Sequence, residues 1–310
     1  MASPPIPQPA PPMDPWRILR WRTRHLAHRE PLAPGVDLLM LRIPAGSFLM
    51  GAPEEEEGSQ DNERPVHRVE LGEFLLGQTP VTQAQWRAVA LWEPRPGEEA
   101  WRQELDPDPV GRLSDPKPFA GERRPVVNVN WHDATEFCHR LHIRTGKNYC
   151  LPSEAQWEYA CRAGTTTPFH FGEMISTEVA NYDGNYTYRS TTIEDGSNRN
   201  RRDNKSKPTT VYRQQTTDVG IFPANAWGLH DMHGNVWEWC NDHWNDAYHG
   251  APEDDRPWID EQAEDNKTML LRGGSWLYGP RSCRSACRSR YRPGSRLTFI
   301  GFRVCCLPQA

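Results

Sequence analysis

The stretch GLHDMHGNVWEWC, residues 228–240, decides the fold together with MLLRGGSW, residues 269–276. Each contains a short apolar run rich in Val, Leu or Trp next to glycine, and such runs predict short strands joined by turns. The last segment, FIGFRVCC at residues 299–306, predicts one more strand. We therefore expect the C-terminal part of the chain to be a set of short strands connected by loops.

Towards the N-terminus the same pattern continues, with a few helices. Residues 36–51 predict two strands around a Pro-Ala-Gly turn, and residues 67–77 predict a second strand pair. Thr82 and Ser153 have the positions of helix N-caps, and the second helix runs to Gly164. The remaining interpretations are a Pro- and charge-rich insertion at residues 93–124, a strand followed by a helix within residues 125–146, and a stretch of little periodicity at residues 165–225.

The first 35 residues differ from the rest. Residues 1–15 are Pro-rich and predict an extended arm, while the basic stretch Trp16–Glu30 predicts a short helix stopped by the two prolines that follow. Within it, His25, His28 and Glu30 superficially resemble a set of metal ligands. We favour a solvated basic helix, because nothing near them in sequence supplies a further ligand.

The composition is typical of a loop-rich globular protein, since 13 Trp, 23 Gly and 29 Pro occur among 310 residues. We expect six of the tryptophans in the core: Trp131, Trp157, Trp227, Trp237, Trp239 and Trp276. No apolar run reaches the ~18 residues of a membrane span, and the N-terminus lacks the features of a secretory signal. We therefore expect a cytoplasmic protein without membrane contact. Its eight Cys would be free thiols, and without a C-x-x-C pair they do not indicate zinc.

The charge distribution points away from nucleic acid as a partner, because the net charge is −5 and the pI is about 6.1. Residues 253–265 hold seven acids, and the final stretch carries eight Arg from Arg272 to Arg303 with no Asp or Glu. The two segments either compensate each other within the molecule, which we favour, or mark a face for an acidic partner. No phosphate-binding loop, HExxH or GxSxG motif is present.

Eight segments occur in the order typical of one protein family. They are FLMG (48–51), ERPVHRVEL (63–71), PVTQAQW (80–86), PVVNVNWHDATEFC (125–138), LPSEAQWEYACRAG (151–164), GLHDMHGNVWEWC (228–240), LLRGGSW (270–276) and IGFR (300–303). From about Leu41 to Val304 the chain resembles the formylglycine-generating-enzyme, or sulfatase-modifying-factor, family. The resemblance implies an α+β, C-type-lectin-like fold, rich in loops, over residues 36–310, with residues 1–35 as a separate arm and helix.

The family includes copper-dependent oxidases that convert a sulfatase Cys to formylglycine, and their two thiolates suit Cu(I). Mapped onto the GGSW motif, the first of these Cys corresponds to Tyr278 and the second to Cys283. A phenol does not replace a thiolate in linear Cu(I) coordination, and Cys287 has the wrong spacing. Copper is therefore disfavoured unless another thiol lies near Cys283 in space. The family's iron-dependent sulfoxide synthases are disfavoured as well, because their ligands come from an extra N-terminal helical bundle.

The C-terminal segment, residues 272–306, most resembles the variable region of proteins diversified by retroelements. There a fixed framework, here RGGSW, PR, CRSA and IGFR, alternates with positions rewritten at Asn-type codons. The resemblance assigns as diversified the positions Leu277, Tyr278, Gly279, Ser282, Cys287, Ser289, Tyr291, Gly294, Ser295, Leu297, Thr298 and Phe299. An AAC codon randomised at its first two bases gives no Trp, Met, Gln, Lys or Glu, and none of these occurs there. Tyr, Ser and Gly suit an adaptable binding surface. The arginines between them either contact the ligand or form internal ion pairs.

Members of the family often bind Ca²⁺ through carboxylate and carbonyl oxygens. Carried over to this chain, the resemblance implies a first site at Asp231, Gly234, Val236 and Glu238 and a second one at Asn181 and Tyr182. The second site takes its other ligands from residues 183–215, and a turn held by salt links without an ion is the alternative for the first.

Taken together, the sequence predicts a protein that binds a macromolecular ligand, protein or other, without catalysis. The binding surface would be formed by residues 277–299. The alternative function is a copper-dependent formylglycine-generating oxidase that uses Cys283 with a second thiol.

Overall fold

The computed structural model describes residues 24–98, 100–188, 211–262 and 267–309. Its helices are α1 (Gln83–Ala90), α2 (Trp131–Thr145) and α3 (Glu154–Arg162). Its strands are β1 (Ala27–Ala33), β2 (Val36–Ile43), β3 (Gly46–Met50), β4 (His67–Leu71), β5 (Phe74–Gly77), β6 (Asn148–Cys150), β7 (Trp237–His243), β8 (Met269–Arg272), β9 (Arg288–Tyr291), β10 (Ile300–Gly301) and β11 (Cys305–Leu307). This is the predicted loop-rich α+β fold. Among the described residues, no helix has the length and apolar character needed to cross a membrane.

The strands form three sheets. The largest has the order β1-β2-β5-β11-β6 and is antiparallel throughout. A second sheet has the order β10-β7-β8-β9, with β10 parallel to β7, and β3 pairs with β4 in the third. The segment from Arg272 to Gly301 is anchored in the second sheet at three points: β8 at its start, β9 in its middle and β10 at its end.

Helix α3 lies at the centre of the domain, and all nine of its residues are buried. Ser153 caps it as predicted: its hydroxyl accepts from the Gln156 N–H at 3.1 Å, and the Gln156 side chain accepts from the Ser153 N–H at 2.9 Å. Glu154 and Glu158 lie one turn apart on this helix. Because both carboxylates are buried, they need cationic partners, and arginines of the C-terminal segment supply them.

The apolar core surrounds these elements. Four of the six tryptophans predicted for the core are buried, namely Trp157, Trp237, Trp239 and Trp276. The other two, Trp131 and Trp227, are partly buried and pack against the core. The prediction of an aromatic core is therefore confirmed.

The structure differs from the sequence interpretation near the N-terminus. Residues 27–30, predicted as the end of a basic helix, belong to strand β1, so the sheet begins before the expected boundary at residue 36. Pro31 lies inside this strand instead of stopping a helix. A proline is tolerated there because β1 is an edge strand, where one N–H has no neighbouring strand to bond. The arm and the first half of the predicted helix, up to residue 23, lie outside the described residues.

Two further local predictions were wrong. Residues 125–130 were expected to form a strand but contribute only an isolated bridge between Thr82 and Pro125. Strand β9 was not expected, because its sequence RSRY lacks the apolar alternation that marks a strand.

The histidine and glutamate pattern of the N-terminus is part of an ion-pair cluster. Lys147 Nζ lies 2.5 Å from a carboxylate oxygen of Glu30 and 2.8 Å from His28 Nε2, and the Tyr149 hydroxyl donates to the same oxygen of Glu30 at 2.9 Å. In the described part of the chain, no group of three or more His, Cys, Asp or Glu side chains is arranged to hold a metal ion.

Candidate binding surface

An aromatic cluster forms the centre of the predicted surface. The ring of Tyr278 lies 5.8 Å from that of Trp237 and 5.5 Å from that of Phe299, and Tyr291 approaches Phe299 at 6.0 Å. The hydroxyls of Tyr278 and Tyr291 are 3.4 Å apart. Both tyrosines are half-buried, so each ring packs on the core by one side and presents the other to solvent. Such half-buried tyrosines provide rigid contact area at low entropic cost.

Most of the positions assigned as diversified lie at or near the surface. The exposed or half-buried ones are Leu277, Tyr278, Gly279, Ser282, Ser289, Tyr291, Gly294, Ser295, Leu297 and Thr298. Cys287 and Phe299 are different, because they are 3% and 9% exposed and belong to the main core. The structure therefore brings ten of the twelve positions to the exterior and places these two beneath it.

The surface extends to residues that the sequence interpretation missed. Tyr186, 51% exposed, packs its side chain against the backbone of Gly279, and the Asp183 N–H donates to the Tyr278 carbonyl at 2.9 Å. Tyr212 packs on the same core as Tyr278. These residues come from the stretch 165–225, for which the sequence indicated little periodicity and the resemblance implied only a calcium site. No local pattern could show that this stretch folds beside the C-terminal segment.

The two positions that correspond to the oxidase cysteines have opposite environments. Tyr278 is at the surface, and burial of its ring edge, followed by the hydrogen bond with Tyr291, raises the pKa of its phenol. Cys283 is completely buried beside Gly274 and in the cluster of Phe169 and Tyr182. Burial also raises the pKa of the Cys283 thiol. With a phenol at one position and a completely buried thiol at the other, the two side chains do not form the pair of accessible thiols that Cu(I) coordination needs.

A second thiol near Cys283 would be needed to rescue the copper chemistry. Besides burial, which is the larger cause, the neighbouring thiols of Cys287 and Cys161 raise the pKa of Cys283, so both lie near it. Cys287 is buried in the main core. Cys161 is also fully buried, and its sulfur lies 3.7 Å from His233 Nε2. Both are shielded from solvent and so from a peptide substrate.

The arginines of the C-terminal segment are mostly parts of the framework. Four are buried against glutamates, in the pairs Arg272–Glu158, Arg284–Glu63, Arg288–Glu154 and Arg303–Glu238. Three nearer the surface pair with other acids, in Arg281–Glu57, Arg290–Asp246 and Arg296–Asp133. Of the two alternatives, internal ion pairing holds for these seven. Among the described residues, none of these seven arginines pairs with the five described acids of the segment 253–265, so the expected compensation is not found there; Glu264 and Asp265 lie outside the described residues.

The predicted calcium ligands lie together at one place in the fold. Asn181 forms a bridge with Gly234, and its carbonyl accepts from the Asn235 N–H at 2.7 Å. Gly234 has a φ of 89°, and a side chain there would collide with the Asn181 carbonyl, so only glycine fits. The structure thus brings the two predicted sites, far apart in sequence, into contact.

These ligands do not fit a calcium ion equally well. Both oxygens of Glu238 bind Arg303, at 2.6 and 2.8 Å, and Trp157 Nε1 donates to one of them. Glu238 is therefore a counter-ion and not an open ligand. The Oδ1 atoms of Asp231 and Asn181 are buried and have no hydrogen-bond partner among the described residues. Burial raises the pKa of Asp231 to about 6. Each of these oxygens is of the kind that Ca²⁺ prefers, and calcium binding here stays a prediction.

Comparison with known proteins places this geometry in a family. The profile of the sulfatase-modifying factor enzyme 1-like domain matches residues 34–306. A formylglycine-generating enzyme of Mycobacterium tuberculosis is 30% identical over 85% of this chain and 96% of its own length. The structure of PvdO from Pseudomonas aeruginosa superposes with a TM-score of 0.68 and 30% identity, covering 92% of this chain and 99% of that one. Treponema denticola variable protein 1 superposes with a TM-score of 0.62 and 24% identity over 91% and 99% of the two chains, which shows a shared fold.

Proposed function

This chain belongs to the family of sulfatase-modifying factor enzyme 1-like domains, and from that premise we propose that it is a non-catalytic member that binds a macromolecular ligand through its C-terminal surface. A fold of this kind does not by itself determine an activity, so the function has to be inferred from the residues of the site. The observation that supports the proposal is that residues 272–303 combine buried, ion-paired arginines with positions that lie at the surface. Four arginines of that segment are buried in ion pairs, and ten of the twelve positions assigned as diversified lie between them at or near the surface.

This separation is what a diversified surface requires. The buried pairs fix the backbone, so a change of side chain at an intervening surface position alters the contact area and leaves the framework in place. Surface substitutions away from such features usually change stability by less than about 0.5 kcal/mol. Tyr278, Tyr291 and Leu277 then supply aromatic and apolar contact, while serines and glycines supply room for adjustment.

A population test addresses the diversification. The 3′ end of the coding region is sequenced from many independent isolates, together with the flanking DNA. We expect codon changes at the ten exterior positions, constant codons for the buried arginines, and a near-copy of the segment beside a reverse transcriptase. Changes at Cys287 and Phe299 should be restricted to small or apolar residues, because both side chains are in the core. A uniform 3′ end without a template copy would refute a retroelement origin.

A display experiment addresses binding. One library randomises Leu277, Tyr278, Ser289, Tyr291 and Leu297, and a matched library randomises the five framework residues Arg272, Ser275, Arg284, Arg288 and Arg303. Both are displayed on yeast and selected against a stated target, hen lysozyme. We expect folded molecules and lysozyme binders from the first library only. Equal loss of folded molecules in both libraries would contradict the proposal.

The competing function is a copper-dependent formylglycine-generating oxidase, which the 30% identity with the mycobacterial enzyme favours. The purified protein is incubated with Cu(I), oxygen and a sulfatase peptide that contains the substrate Cys, and formylglycine is measured by mass spectrometry. We expect no product above the level without protein, because Tyr278 and the buried Cys283 do not form a thiolate pair. Multiple turnovers would refute the proposal that the protein is non-catalytic.

A further inference from the structure

Two cysteines face each other across neighbouring strands of the large sheet. Cys150 ends the edge strand β6, and Cys305 begins β11, the adjacent strand; the two are direct partners in the antiparallel register. Directly opposed residues in an antiparallel pair have Cα atoms about 4.5 to 5.5 Å apart. A disulfide requires a Cα separation of about 4.4 to 6.8 Å, so the backbone already has suitable spacing.

The side chains of this pair also point to the same side of the sheet. Successive residues of a strand alternate between its faces, and opposed residues share one face. Cys306, the neighbour of Cys305, is opposed to Tyr149 and therefore lies on the other face. After burial, the neighbouring Cys150 thiol is the next cause of the raised pKa of Cys305, so the two thiols lie close together. The Cys305 sulfur also lies 3.6 Å from Gln156 Oε1. Register and contact thus select one pairing among the cysteines that lie close together here.

The two thiols differ in access to solvent. Cys150 is partly exposed, whereas Cys305 is completely buried. An oxidant from solution therefore meets Cys150 first. The buried partner can then attack the Cys150 sulfur beside it, which is the arrangement of an attacking and a resolving thiol.

We propose that Cys150 and Cys305 form a reversible cross-strand disulfide when the protein meets a low-molecular-weight disulfide such as oxidised glutathione. The Cys150 thiolate attacks one sulfur of the oxidant, breaks its S–S bond, and gives a mixed disulfide and one glutathione thiolate. The Cys305 thiol then loses its proton and attacks the Cys150 sulfur, which releases the second glutathione thiolate. Two protein thiols are oxidised, one glutathione disulfide is reduced to two thiols, and the two protons end on these thiols.

The disulfide ties the connection between α2 and α3 to the C-terminal strand. Because it closes a chain segment of about 155 residues, it strongly restricts the unfolded chain and stabilises the folded state. Burial raises the pKa of the Cys305 thiol well above its ordinary value, so the resolving step is expected to be the slow one and to accelerate at alkaline pH.

The test uses the full chain. Reduced protein is incubated with oxidised glutathione, the remaining thiols are blocked with N-ethylmaleimide, and the protein is digested with trypsin without reduction. We expect a cross-link between peptides 148–162 and 304–310, lighter by two hydrogen atoms than the sum of the two. The oxidised protein should also melt several degrees above the reduced one, and dithiothreitol should reverse both changes.

Variants assign the sulfur atoms, because peptide 148–162 also contains Cys161 and peptide 304–310 also contains Cys306. Cys161→Ser and Cys306→Ser are the matched controls and should keep the link, whereas Cys150→Ser and Cys305→Ser should lose it. The partly exposed Cys150 gives a variant whose fold is easily checked by circular dichroism, should the buried Cys305→Ser unfold. A link that persists in Cys150→Ser, or a stable glutathione adduct on Cys150 without any link, would overturn the proposal.

Discussion

Replacing Arg284 by Met tests whether the arginines of the C-terminal segment are framework or ligand contacts. Arg284 is fully buried, and its guanidinium donates to both oxygens of Glu63 at 2.6 and 2.8 Å, to Glu56 at 2.7 Å and to the Gly58 carbonyl at 2.7 Å. Methionine fills much of the same volume without the charge, so the Arg284→Met variant mainly removes these four bonds.

The expected cost follows from what is left behind. Glu63 is completely buried, and removing one partner of a buried ion pair costs about 3 to 5 kcal/mol. Burial raises the pKa of Glu63 even in the presence of Arg284, and loss of the guanidinium raises it further, which favours the neutral carboxyl and limits the loss. For a domain of this size, about 3 to 5 kcal/mol corresponds to a fall in melting temperature of about 5 to 8 °C. Thermal unfolding followed by circular dichroism at neutral pH measures it.

A matched control lies three residues earlier. Arg281 also pairs with a glutamate, Glu57, but the two side chains are 52% and 40% exposed. Exposed pairs contribute about 0 to 1 kcal/mol, so Arg281→Met should lower the melting temperature by less than about 2 °C. The double variant Arg284→Met/Glu63→Gln should recover part of the loss, because the unpaired acid is gone. If Arg284→Met melts like Arg281→Met, the buried pairs do not hold this segment, and the framework argument fails.

Three further predictions concern single residues of the site. His233 is buried, its Nδ1–H donates to the Cys283 carbonyl at 2.7 Å, and burial lowers its pKa to about 4. The unfolded chain therefore binds the proton more readily, and the contribution of His233 to stability should fall by about 3 kcal/mol as the pH falls from 6.5 to 4. Buried Asp231 and Asp242, whose pKa values burial raises to about 6 and about 7, act in the opposite direction, so the test is the difference in stability between the wild type and His233→Gln, which should shrink as the pH falls; a constant difference would contradict this. Tyr278→Cys should restore a thiol at the surface but no turnover on the sulfatase peptide, since Cys283 stays buried; formylglycine production by this variant would show that the single tyrosine blocks the oxidase. Millimolar Ca²⁺ should raise the melting temperature of the wild type and not that of Asp231→Asn, whose buried oxygen would lack its charge; an equal rise in both would exclude Asp231 as a ligand.

Local features of the sequence were sufficient for the regular elements. Thr82 and Ser153 both form the capping boxes that their spacing to Gln85 and Gln156 allows, and Asn130 caps α2 in the same way. Such signals lie within four residues of each other, so one sequence displays them completely. The apolar runs of β2, β5 and β8 were equally clear, because each strand carries its own burial pattern.

The parts that could not be predicted depend on distant pairing. The sequence of β1 predicts a helix because it is basic and rich in helix formers. The structure is a strand because it pairs with β2, and local composition does not show that pairing. The partners of the buried arginines were not predictable either. Arg284 reaches Glu63, and Arg288 reaches Glu154, both more than a hundred residues away. In the acidic segment nearer in sequence, Asp254 and Asp260 pair with Arg256 and Lys267 instead. A buried arginine requires an acidic partner, but its charge does not show where in the chain that partner lies.

Differences in burial among the surface positions limit which substitutions each position tolerates. Leu277 is exposed and Ser289 is half-buried, so substitutions there should be nearly neutral for stability. Tyr278 differs, because its ring packs against Trp237 and Phe299, and a small residue would leave part of the core uncovered. Aromatic residues should therefore be selected at Tyr278 and Tyr291 for packing as well as for binding. A surface of this kind has a centre constrained by the fold and a rim free to adapt, and its ligands would share an aromatic contact at the centre while differing at the rim.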